Sequence, residues 1–495
     1  MNLFSAPTSD EWLLFAFLFC AIGLFIFIAE YLRNKLHGSP EITRKLVHIL
    51  TGVLIFFAPE LFRSGVPAIL LAVLFIVINF TAIQLGLLKG MHGTHRRTYG
   101  TVYYPLSFLI LVLLCWESAP ELISISILIL AFGDAAAAIV GENLHHPHEF
   151  HLTSDKKSYE GSLVMFVTTI IIIVVCINHF GIVVDRTTLI IAAVATALFV
   201  TVWEAISSKG FDNLTVPLSA ALMLHSFFMP FPHHEPSQML YAVLFASGVA
   251  VISVYLKFLS PSGAAATFLL ATIIFGLGGW KWTIPILIFF VASSLLSKIV
   301  KLQKRHLEAI VEKTDMRDEG QVAANGGIAG IILLLWYFFP DQEFLYPCYL
   351  GTLAAVTADT WSTEIGTLAK QKPVSIISLK KVEAGTSGGV SFVGMTGGIM
   401  GAMMIAYTGW LMDAETISLT TAGKIVAAGF IGSLVDSFLG ATVQAQYQSD
   451  GGVIVERTVY HGKPTTLVRG FRWIDNDIVN WLCACTGAVV MYALI

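Results

Sequence analysis

The sequence predicts an all-α integral membrane protein with about sixteen transmembrane helices in two weakly related modules. Three observations lead there. Of its 495 residues 56% are hydrophobic and 13% charged, with a mean hydropathy of +0.77, a balance too apolar for a water-soluble globule. Apolar runs of roughly 17–25 residues, the length a helix needs to cross a bilayer, recur from end to end. The stretch GDAAAAIVGENLHHPHEFHLTSDKKSYEGS at 133–162 also has a degraded copy at 358–389, where ADTWSTEIG and a short loop precede KKVEAGTSGG. In each copy an aspartate ends an apolar run and a lysine-bearing loop follows.

The runs lie at about 12–32, 46–62, 66–88, 101–116, 121–140, 161–180, 187–206, 214–230, 238–258, 262–279, 281–297, 326–340, 345–366, 389–411, 420–440 and 476–495. The first follows Asp10 and Glu11 rather than a basic segment and lacks a small-residue cleavage site, so it reads as a span and not a signal peptide. With the N-terminus outside, all 29 lysines and arginines except Arg63, Arg186, Lys281 and Lys424 fall in or beside inner loops. That assignment gathers 33–45, 89–100, 141–160, 207–213, 298–325, 367–388 and 441–475 on one face, expected to be the cytoplasmic side of the cell's inner membrane. The six cysteines lie in or beside spans with no C-x-x-C pair, reading as packing residues rather than a disulfide frame or zinc site. A net charge of −4 implies no nucleic-acid partner.

In the first module, 1–235, EITRKLVHILTG opens the second span, where Arg44 and His48 are four apart and share one helical face. An interfacial anchor and a polyphosphate ligand are both open for this pair. Arg96 and Arg97 abut the fourth span, and Tyr103 and Tyr104 begin it; the tyrosines read as an aromatic belt, and the arginines equally as anchors for anionic lipid heads. Asp134 sits within the inner end of the fifth span, where a carboxylate is expensive and marks function. The alanines after it allow close approach of another helix or a ligand. Lys156, Lys157, Glu160 and Gly161 open the sixth span, whose N-terminus itself attracts anions. Carboxylates, lysines and a helix N-terminus together suit a magnesium–nucleotide complex, although no P-loop or kinase glycine loop is present. The histidines at 145, 146, 148 and 151 read as loop filler before a metal site. Glu204 lies one turn from the end of the seventh span; Asp212 and Asn213 head the eighth, as a cap or as ligands.

The set RKLVH, GDAAAAIVG, KKSYEGS and E-x7-DN-x3-P resembles the phytol/farnesol kinase and dolichol kinase family, cousins of the membrane CDP-diacylglycerol synthases, over about residues 12–230. The resemblance implies CTP-dependent, magnesium-requiring phosphorylation of an isoprenoid alcohol. Asp134, Lys156, Lys157, Glu160 and Gly161 would then hold nucleotide and metal, with Glu204 a second metal ligand.

The Pro/His-rich stretch at 231–237 is the expected seam to the second module, 236–495. The charged stretch 298–320 reads first as a solvated helix face and then, with Arg317 and the Asn325-Gly-Gly start of a span, as a phosphate site. Asp359 and Asp436 lie near inner span ends; Lys380, Lys381, Glu383 and Thr386 lead into the fourteenth span; Asp475 and Asn476 open the last. The motifs NGG, ADTWSTEIG, GTSGGVS, GSLVDSFLGATVQ and DN-x3-N resemble the phytyl-phosphate kinase family, long known only as an integral membrane domain, over about 240–495. That resemblance implies phosphorylation of a prenyl monophosphate to the diphosphate, with Asp359 and Asp436 as catalytic and metal-binding carboxylates. Together the modules would make phytyl diphosphate or a like product, a precursor for tocopherol. A CDP-lipid-forming cytidylyltransferase would have a similar nucleotide site, and a secondary transporter also shows repeats and intramembrane acids.

Overall fold

The computed structural model describes residues 2–36, 40–87, 98–229, 236–304, 316–369, 371–383, 386–449, 451–452, 454–456, 458–460 and 462–495. Arg96, Arg97 and most of the 231–237 seam lie outside the described residues. The chain forms two compact units, Met1–Leu240 and Tyr241–Ile495.

The first unit contains α1 (Ser9–Leu36), α2 (Pro40–Phe56), the short α3 (Ala58–Leu61), α4 (Val66–Leu85), α5 (Gly100–Cys115), α6 (Pro120–Leu128), a π turn (Ile129–Asp134), α7 (Ala135–Asn143), α8 (Tyr159–His179), α9 (Arg186–Ile206) and α10 (Asp212–Phe228). From the linking helix α11 (Pro236–Tyr255) the chain continues through α12 (Pro261–Lys304), α13 (Glu319–Phe338), α14 (Leu345–Gly366), α15 (Phe392–Met412), α16 (Leu419–Thr442) and α17 (Asn476–Leu494). Each apolar run of the sequence overlaps helix, and among the described residues eleven helices are long and apolar enough to cross a bilayer. The runs at 262–279 and 281–297 form the two helical segments of α12, separated at Gly279 (φ 62°, ψ −161°), a conformation that a Cβ disfavours. Helix starts follow their local chemistry. Ser158, Asp185, Asp318, Ser391, Ser418 and Asp475 each accept a hydrogen bond from the backbone N–H three residues on.

Each unit is built around one enclosed helix. In the first, every residue from Leu122 to Ile127 is buried, as are Ile129–Ala131 and Gly133, and this rod ends at Asp134. In the second, α14 is buried without a break from Leu345 to Ala358, and Asp359 comes next. A helix hidden on all sides has no lipid face to make apolar. That explains why α14 is less hydrophobic than its neighbours yet the most deeply packed.

After each enclosed helix comes a two-stranded hairpin. It is β1 (Glu149–Phe150) with β2 (Lys157–Ser158) in the first unit, and β3 (Val374–Ser375) with β4 (Gly389–Val390) in the second. Each hairpin runs into a serine cap and, three residues later, a glycine pressed on the enclosed helix. A Cβ on Gly161 would lie 2.9 Å from the Ala137 carbonyl, and one on Gly394 2.8 Å from the Ser362 carbonyl. Ala137 and Ser362 are each three residues beyond the aspartate. The structural repeat therefore aligns Ser158 with Ser391, and the counterpart of Lys157 is Val390 rather than Lys380 or Lys381. A three-stranded sheet of β5 (Gln446–Gln448), β6 (Ile454–Val455) and β9 (Thr466–Arg469), with the hairpin of β7 (Val459–Tyr460) and β8 (Lys463–Pro464), occupies the loop before α17.

The α14–α17 crossing is a backbone contact, with an added Cβ on Gly487 lying 2.4 Å from the Gly351 carbonyl. Gly487→Val should destabilise the protein by about 1–3 kcal/mol, read as a lowered thermal unfolding temperature in detergent. Gly423→Ala, in open space, should leave that temperature in place.

Candidate active sites

In the first unit the acidic residues converge on one lysine. Lys157, in β2, forms a salt bridge with Glu204 near the end of α9 and lies 3.6 Å from Asp212 Oδ2 at the start of α10. Glu204 is 5% exposed, so its charge has little water to solvate it. Burial alone would pull the Lys157 pKa down, but Glu204, Asp212 and the more distant Asp134 hold it above the ordinary lysine value. The ammonium stays charged and fixes the ends of α9 and α10 against the hairpin. Asn213 completes this corner, donating to the Gly210 carbonyl at 3.1 Å.

Beside this centre lies a cavity of about 830 Å3 lined by α1, α2, α4, α5, the π turn and α10. Its polar end carries Arg44, Lys45, His48, Asp134 and Asn213. Farther along the same helices the lining is Ile22, Ile55, Leu71, Phe75 and Phe108. Among the described residues Asp134 has neither a hydrogen bond nor a salt bridge within 4 Å, although it sits in the field of Lys157 and His48. Four residues singled out in the sequence, Arg44, His48, Asp134 and Asn213, thus line one cavity, with Lys157, Glu204 and Asp212 forming the adjoining charge centre.

Other loop residues have different surroundings. Lys156 pairs with Glu149 at the surface. Glu160 accepts from the His148 backbone and lies 2.6 Å from its Nδ1, which accounts for one histidine of the loop. Gly161 serves helix packing, as described above. Tyr104, Lys45 and Asn79 line the cavity without having been singled out as ligands. Asn79, a polar amide well inside the apolar α4, was the legible signal.

In the second unit the carboxyl groups of Asp359 and Asp436 lie within hydrogen-bonding reach of each other, at the ends of α14 and α16. Asp436 Oδ2 is buried without a partner. Glu456, from the sheet-bearing loop that the sequence left without a role, contributes a third negative charge near Asp436 and accepts a hydrogen bond from Ser387. Glu383 pairs instead with Lys372 at the surface, and Lys380, Lys381 and Thr386 are exposed. Asp475 caps α17, and Asn476 is its exposed first residue. Arg317 and Asn325 line a second cavity of about 640 Å3, otherwise mostly apolar. Burial lowers the Arg317 pKa and the Glu364 carboxylate opposes that shift; a guanidinium stays charged regardless.

Among the described residues no three histidine, cysteine or acidic side chains form a ready metal cage. Magnesium, however, takes one or two protein carboxylates and completes its shell with substrate phosphates and water. Asp134, without a hydrogen bond, and the abutting Asp359–Asp436 pair, with its orphaned buried oxygen, fit that demand. Glu204 is engaged by Lys157.

Residues 244–488 match the integral membrane protein family DUF92. The chain is 34% identical over 205 residues to a phytol kinase of Synechocystis sp., covering 41% of this chain and 86% of that protein. It is 29% identical over 270 residues to Protein PGR of Arabidopsis thaliana, covering 50% and 92%. A chloroplastic farnesol kinase of Arabidopsis thaliana is 30% identical over 199 residues, covering 37% and 64%. No solved structure matches.

Lys157→Met removes the cation from between two enclosed acids and should destabilise the protein by about 3–5 kcal/mol. Adding Glu204→Gln should recover most of that loss. Thermal unfolding of the single and double variants in detergent checks it, and additive losses would mean that the ion pair is not the source.

Proposed function

Because the chain belongs to the phytol kinase family and matches the integral membrane family DUF92 over residues 244–488, we propose that it phosphorylates a long isoprenoid alcohol twice. The first unit would convert the alcohol to its monophosphate and the second would convert the monophosphate to the diphosphate. The observation that carries this reading is the cavity of the first unit, charged at one end and hydrocarbon-lined beyond it. A prenol has that division, a hydroxyl head on a chain soluble only in the membrane.

Phosphoryl transfer asks the protein mainly to position the reactants and to neutralise charge. In the first unit Arg44 and Lys157 would neutralise the phosphates of a nucleoside triphosphate, CTP by the family resemblance. Glu204 and Asp212 would hold Lys157 in place for that task. Asp134 would be a protein ligand of magnesium there, and Asp359 with Asp436 would take that part in the second unit. Bound magnesium would supply charge neutralisation on the phosphate oxygens. The packed helices around Asp134 and Asp359 would limit the water that competes with the acceptor. Arg317, at the mouth of the second cavity, would meet the phosphate head of the monophosphate while the chain lies among Leu270, Ile286 and Phe290. The charged helix ends would face the cytoplasm, the source of nucleotide.

Purified protein given labelled CTP or ATP and a panel of farnesol, geranylgeraniol and phytol tests the reading. Asp134→Asn should abolish phosphorylation of the alcohol and leave the conversion of supplied monophosphate largely intact; Asp359→Asn should do the reverse. If Asp134→Asn stops both steps on supplied monophosphate, a single composite site replaces the two-site account. Release of pyrophosphate with a CDP-lipid would identify a cytidylyltransferase instead.

A further inference from the structure

In the cavity of the first unit the rings of His48 (α2) and Tyr104 (α5) meet edge to face, with centroids 4.5 Å apart. His48 Nε2 and Tyr104 Oη are both sealed from solvent and neither has a hydrogen-bond partner. Tyr104 is only 7% exposed. Thr51 Oγ1 and Asn79 Oδ1, on α2 and α4, line the same cavity and are likewise buried without partners. Buried polar atoms are nearly always paired, so four orphans around one space mark the place of a polar group that enters it. The apolar side chains beyond them restrict that group to the head of an otherwise hydrocarbon molecule.

We propose that this pocket holds the hydroxyl group of the alcohol and that His48 Nε2 takes its proton. The inference rests on the alcohol-kinase reading of the first unit. The Leu130 backbone in the π turn is the hydrogen-bond partner of the His48 ring, and since Nε2 has no partner a proton on Nδ1 leaves Nε2 with its lone pair. The alcohol O–H donates to Nε2, and its oxygen accepts from the Tyr104 O–H. That oxygen then bonds to the terminal phosphorus of the nucleoside triphosphate. The bond from this phosphorus to its bridging oxygen breaks, and the nucleoside diphosphate leaves with the electron pair. The hydroxyl proton passes to Nε2 and returns to solvent after the products depart. Asp134, at the polar end of the cavity with Arg44 and Lys45, belongs with the phosphates. His48 and Tyr104 stand between that end and the hydrocarbon lining, where the head of the alcohol must lie.

The test is steady-state transfer to the alcohol by the full chain, with kcat and KM resolved for each substrate. His48→Ala should lower kcat by about a hundredfold or more, and added imidazole should restore part of it. Tyr104→Phe, which keeps the ring and its packing, should raise the KM for the alcohol several-fold and leave that for the nucleotide unchanged. A His48→Ala protein with wild-type kcat would overturn the base role. So would a loss that imidazole does not rescue, in a variant that still binds radiolabelled alcohol as the wild type does. A Tyr104→Phe protein with unchanged KM for the alcohol would overturn the hydroxyl pocket. Absence of transfer by the wild type itself would instead overturn the kinase reading beneath the proposal.

Discussion

A carboxylate that follows the most deeply packed stretch of helix is the constraint on which both units depend. Such a helix can be packed tightly only if its neighbours present small residues, and the glycines and alanines around α7 and α14 do so. An acid on a fully packed helix end cannot swing away into water, so its surroundings must answer its charge. In each unit the following hairpin, serine cap and close-packed glycine fix the start of the next helix three residues beyond the aspartate. The position of the acid and the geometry around it are therefore set by the same contacts that hold the helices together.

The two units answer the charge differently. In the first, Lys157 reaches from the hairpin to Glu204 and Asp212 and answers part of their charge, while Asp134 is left to the cavity. In the second, Val390 occupies the equivalent hairpin position, and Asp359 and Asp436 lie against each other with Glu456 near them. Like charges that close repel unless a proton or a cation lies between them. The first centre carries a cation of its own among its acids, whereas the carboxyl pair of the second calls for a positive partner. That difference suits an alcohol acceptor in one unit and an already anionic acceptor in the other.

The helical membrane fold was legible because apolar run length has one physical cause, the thickness of hydrocarbon to be crossed. The acids were legible for the related reason that an aspartate or glutamate in such a run is costly: Asp134, Glu204, Asp359 and Asp436 all lie in the later part of an apolar run. The register of the repeat was not. The letters shared by KKSYEGS and KKVEAGTSGG draw Lys380, Lys381 and Glu383 into correspondence with Lys156, Lys157 and Glu160. The folded counterpart instead begins at Ser391, because what repeats is a cap and a steric gap rather than a charge. Tyr104 at a span start reads as an aromatic belt until α2 brings His48 against it. Glu456 lies in a loop with no periodicity, and only the folded chain brings its charge near Asp436.

Two units that transfer one phosphoryl group each would leave a fixed count of nucleotide products. The most direct measurement is the ratio of nucleotide products to lipid diphosphate in a reaction of the full chain with alcohol and CTP, followed by phosphorus NMR. Two successive transfers should give two molecules of CDP for each lipid diphosphate, with the monophosphate rising and falling between them. One molecule of CMP for each lipid diphosphate, with no monophosphate at any time, would show a single pyrophosphoryl transfer and contradict the account.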